Sequence, residues 1–91
     1  MGAVSKQVTI VNKRGLHARA SAKFVAAVAE MDGCAVTVTK DGTTAGGGSI
    51  LGLMMLGAAK GDTITLACEG DGQDARLAEL AELVETGFGE E

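Results

Sequence analysis

The chain has 91 residues, 46% of them apolar and 22% charged, with a formal net charge of -4 at pH 7. That length suffices for one small core and not for two domains, and the apolar share excludes wholesale disorder. The acidic balance, with Phe24 and Phe88 as the only aromatic residues, excludes a nucleic-acid binder and favours partners with a basic rim.

Gln7 to Val11 alternates polar and apolar residues until its last position, which predicts a half-buried strand. Asn12-Lys13-Arg14-Gly15 reads as a polar loop. From Ala18 the period lengthens, and Ala20, Phe24, Ala27, Val28 and Met31 fall on one stripe of a helix that Asp32-Gly33 stops. Ala35 to Lys40 alternates again, with Val36 and Val38 on one face. Asp41-Gly42 predicts a two-residue hairpin into a short return strand over Thr43 to Ala45. After Gly46-Gly47-Gly48, Ser49 stands as the N-cap of a short apolar helix from Ile50 to Leu56. Asp62 to Cys68 predicts a fourth strand. Beyond the Gly70-Asp71-Gly72 turn, a last helix starts near Gln73 or Asp74, with Leu77, Leu80, Ala81 and Val84 as its apolar stripe. The order βαββαβα predicts one α+β domain over residues 1–91: a two-layer, open-faced β-sandwich, its four-stranded sheet carrying three helices on one face.

Cys34 and Cys68 are too few and too widely spaced for a disulfide framework or a zinc site, and read as small apolar strand residues. No segment has the basic start and apolar run of a signal peptide, and none has the length to span a bilayer, so the expected location is the cytoplasm.

His17 is the only histidine, placed just before the first helix. The start of a helix offers unpaired amides and the positive end of the dipole, and Arg19 adds a guanidinium suited to phosphate. The same field disfavours imidazolium and helps keep the ring nucleophilic. On these residues alone His17 reads either as a covalent phosphoryl acceptor or as a helix cap. No serine elbow and no partners for a catalytic triad accompany it.

Two longer runs bear on that choice. Gly15-Leu16-His17-Ala18-Arg19-Ala20-Ser21-Ala22-Lys23-Phe24 resembles the active-site signature of the histidine-containing phosphocarrier (HPr) family of the bacterial sugar phosphotransferase system. The run from Gly48 through Ser49 and Ile50 to Asp62 resembles its regulatory signature. The resemblance covers nearly the whole chain, and implies an antiparallel sheet and phosphorylation of His17 at Nδ1. It implies Enzyme I, charged from phosphoenolpyruvate, as donor and an IIA-type protein as acceptor. Arg19 would stabilise the phosphate in both transfers, with no metal or small cofactor. Ser49 matches the serine that a bifunctional kinase/phosphorylase modifies in part of the family. Ile50, Leu51 and Met54 match an exposed docking surface, whereas Leu53 and Leu56 are expected in the core. Ala20 departs from the family's usual proline and suggests a somewhat altered loop with the carrier role intact. A monomer is the default expectation. Two alternatives accompany this reading: a nitrogen-related regulatory carrier of the same family, and a non-catalytic small-molecule-binding α+β domain.

Overall fold

The computed structural model describes residues 2–90. Strand β1 (Val4–Thr9) is followed by helix α1 (Ala18–Ala29), strands β2 (Cys34–Lys40) and β3 (Thr43–Gly46), helix α2 (Ile50–Met55), strand β4 (Thr63–Gly70) and helix α3 (Gln73–Glu85). All strand pairs are antiparallel, in the order β1-β4-β2-β3. The last strand in sequence therefore lies between the first and the second. The predicted α+β class and element order are those observed.

The pleat sorts the strands into two faces. Val8, Val36, Val38, Ala45, Ile64, Leu66 and Cys68 point inward and are buried, whereas Ser5, Gln7, Ala35 and Glu69 point the other way and are exposed. Helices cover the first face alone. Phe24 of α1, Leu53 of α2 and Leu77, Leu80, Ala81 and Val84 of α3 complete one continuous core with the inward strand residues. The β2–β3 turn has φ of +50° at Asp41 and +82° at Gly42, the left-handed pair that a two-residue hairpin needs.

Strand β1 differs from the expected Gln7–Val11 in starting at Val4 and ending at Thr9. Its inward positions are Val4, Lys6 and Val8. Lys6 breaks the apolar alternation because β1 is an edge strand, where the ammonium group reaches Glu85 of α3 at 3.6 Å. Ile10 is buried just beyond the strand, and Val11 is turned outward at 45% exposure. A tail follows α3, and Phe88 in it is 1% exposed, as buried as Phe24.

Candidate functional site

The loop between β1 and α1 is pressed onto the segment that follows α2. Leu16 N–H donates to the Ala58 carbonyl at 3.0 Å, and Gly15 N–H donates to the Asn12 carbonyl at 3.2 Å. Gly15 has φ of +61°, and a Cβ there would strike the Ala58 carbonyl oxygen. Only glycine allows so close an approach in that conformation. Leu16 is buried beside it, which delivers the next residue to the start of α1.

That residue is His17, the N-cap of α1, with extended backbone angles of φ -75° and ψ -179°. Its ring Nδ1 accepts a hydrogen bond from the Arg19 amide at 3.2 Å. Its Nε2 lies 2.8 Å from Oε2 of Glu90. An amide N–H only donates and a carboxylate only accepts, so this network assigns the proton to Nε2 and a bare lone pair to Nδ1. The lone pair faces the first-turn amides, where the helix favours negative charge.

Glu90 is fixed in turn. Asn12, itself buried, donates from Nδ2 to the Gly15 carbonyl at 2.9 Å and to Oε1 of Glu90 at 3.1 Å. Phe88 anchors the tail in the core, and Lys23 Nζ donates to the Phe88 carbonyl at 2.7 Å. Desolvation opposes ionisation of the Glu90 carboxyl. The hydrogen bonds from His17 and Asn12, with the nearby charge of Lys23, outweigh that effect and hold its pKa below the ordinary carboxylate value.

His17 and Glu90 share one open hollow with Lys13, Arg14 and Arg19. The three cations are exposed. Although the net charge is -4, the rim of this hollow is basic. The structure thus brings His17 and Arg19 together, as expected. Glu90, Asn12 and Lys23 were not singled out from sequence, because the tail carries no periodic signal and a loop asparagine is unremarkable.

Ser49 is the N-cap of α2, exposed, and its Oγ accepts from the Gly52 amide at 2.9 Å. Ile50, Leu51 and Met54 are 40%, 68% and 40% exposed, and Met55, missed from sequence, is 76% exposed. Leu53 and Leu56 are buried. These α2 residues do not line the His17 hollow, although α2 packs against α1. Among the described residues no group of three or more histidine, cysteine, aspartate or glutamate side chains is placed to hold a metal, and no helix is long and apolar enough to cross a membrane.

Known proteins match the chain along almost its full length. The family described as "PTS HPr component phosphorylation site" matches residues 4–86. A phosphocarrier protein NPr of Shewanella violacea is 41% identical, covering 99% of this chain and 98% of its own. A phosphocarrier protein HPr of Pseudomonas aeruginosa is 45% identical, covering 92% of this chain and 93% of its own. The crystal structure of an HPr from Thermoanaerobacter tengcongensis superposes with a TM-score of 0.87 at 37% identity, covering 100% of this chain and 99% of the other. With the fold, the two signature runs and these likenesses in agreement, the chain belongs to the histidine-containing phosphocarrier (HPr) family of the phosphotransferase system.

Proposed function

We propose that the protein, a cytoplasmic monomer, accepts a phosphoryl group from Enzyme I on Nδ1 of His17 and passes it to an IIA-type protein in sugar uptake. The observation that carries this reading is the bare Nδ1 at the start of α1, set there by the Arg19 amide on one side and the Glu90 carboxylate on the other. In the first transfer the Nδ1 lone pair forms a bond to phosphorus as the donor's bond to phosphorus breaks, in line with it. The Arg19 amide then passes from Nδ1 to a phosphoryl oxygen. The Arg19 guanidinium, with Lys13 and Arg14 at the rim, offsets the charge of the transferred group. Onward transfer reverses these steps. Such chemistry asks for alignment and charge stabilisation, and a prearranged ring and helix start supply both.

Ile50, Leu51 and Met54, extended by Met55, serve as the apolar part of the docking surface. A phosphate on Ser49 would add nearly two negative charges beside that patch and repel an acidic partner. The bifunctional kinase/phosphorylase would supply it. Equal standing of a relative named NPr favours a second reading, a nitrogen-related regulatory carrier with the same chemistry at His17.

Labelled phosphoenolpyruvate and Enzyme I test the proposal beside His17→Ala. Acid-labile, base-stable label on the wild type alone is the expected result, and an unlabelled wild type with its cognate, active Enzyme I would sink it. Presenting the charged protein to sugar-specific and nitrogen-related IIA proteins separates the two readings by which acceptor discharges it.

A further inference from the structure

Glu90 binds the ring nitrogen that does not react, and everything around it fixes it in that place. Oε1 is held by Asn12, Oε2 is left at 2.8 Å from Nε2 of His17, and the backbone just before it is tied down by Phe88 and Lys23. The carboxylate is therefore in position before any phosphoryl group arrives.

We propose that Glu90 is a positioning residue that keeps the proton on Nε2 throughout transfer, so that phosphorylated His17 remains in its ring-protonated, reactive form. The inference rests on His17 being the phosphoryl carrier. Attack by the Nδ1 lone pair of the neutral ring forms the Nδ1–P bond and leaves positive charge on a ring that still bears its Nε2 proton. A protonated ring departs readily from phosphorus, whereas a ring that has lost that proton to solvent holds the phosphoryl group more firmly. A fixed carboxylate on the Nε2–H opposes the loss, as the carboxylate of a serine-protease triad stabilises the imidazolium beside it. Lys13 and Arg14 of the loop and Arg19 and Lys23 of α1 act in the opposite sense, and the negative phosphoryl group on Nδ1 offsets them. When the acceptor takes the phosphorus, the bonding pair returns to Nδ1 and the starting tautomer is restored without a proton entering or leaving.

Glu90→Gln keeps an oxygen acceptor for Nε2–H and removes the charge, whereas Glu90→Ala removes both. Each protein is loaded by Enzyme I and phosphoenolpyruvate, freed of donor, and its hydrolysis followed between about pH 6 and about pH 9, on both sides of an imidazole titration. The expected result is equal hydrolysis at the acid end and about tenfold slower hydrolysis of both variants at the alkaline end, the effect of one pH unit in proton retention. Coincident wild-type and Glu90→Gln profiles would overturn the proposal. So would an equal change at every pH, which would make the residue a support of the fold alone. A wild type that takes no label defeats the carrier reading and this inference with it, while normal loading with unchanged profiles defeats only the inference. Nitrogen-15 NMR of the phosphorylated wild type needs no variant: a proton on Nε2 at about pH 8 is expected, and a bare Nε2 there contradicts the proposal.

Discussion

His17 serves as cap and as candidate nucleophile through one atom. Nδ1 accepts from the Arg19 amide, which ends an orphan donor of α1 and simultaneously fixes which ring nitrogen is free of hydrogen. The capping role that sequence offered as a competing explanation is thus part of the geometry on which the chemistry rests. The cysteines show the converse, residues whose surroundings suppress reaction. Cys68 on β4 is fully buried, and its pKa is pushed up to about 11, first by removal from water and then by the Cys34 thiol diagonal to it on β2. At about pH 8 roughly one Cys68 in a thousand is then thiolate. Alkylation of the native protein is expected to stop at a single adduct on half-buried Cys34, with the second forming only in denaturant. Two native adducts at comparable rates, read by mass spectrometry, would contradict this account of Cys68.

Helix α2 divides its six residues between two tasks. A helix so short does not persist by itself, so Leu53, with Leu56 just beyond, ties it to the core while its outer side chains remain in water. Leu53→Ala is expected to cost about 2–5 kcal/mol in urea unfolding. Leu51→Glu should stay within about 0.5 kcal/mol of wild type, yet slow phosphoryl exchange with partner proteins. Comparable losses of stability in both would mean that Leu51 supports the fold. Elements of this kind were legible in the sequence to the extent that one face repeats. The stripe Leu77, Leu80, Ala81, Val84 gave α3, and the alternation around Val36 and Val38 gave β2. The start of β1 was hidden by Lys6, an inward residue at a sheet edge, and Met55 by the apolar character of α2 on all sides. Glu90 had no local signature at all. Its pairing with His17 joins positions 73 residues apart, brought together by the burial of Phe88 and the hydrogen bonds from Asn12 and Lys23.

The molecule as a whole is acidic, but its cations Lys13, Arg14 and Arg19 gather at one hollow, so net charge does not describe the site. The Glu90 contacts also couple that hollow to folding. The folded pKa of Glu90 lies below its ordinary value of 4.5, so its contribution is fully present above that value and disappears as pH falls through the depressed folded one. Urea unfolding of the wild type should therefore lose stability below about pH 4.5 to a greater degree than Glu90→Gln. Parallel curves throughout would show that the latch is not ionic. Sheet order carries a consequence of another kind. The strand that leads into the His17 loop has β4 as its single neighbour, and β4 follows α2 in the chain. The candidate nucleophile is encoded early, yet the strand that carries its loop pairs only with residues encoded after α2. The His17 loop thus takes its place only where segments from both halves of the chain have met, so a fragment that lacks β4 is expected to leave that loop undocked.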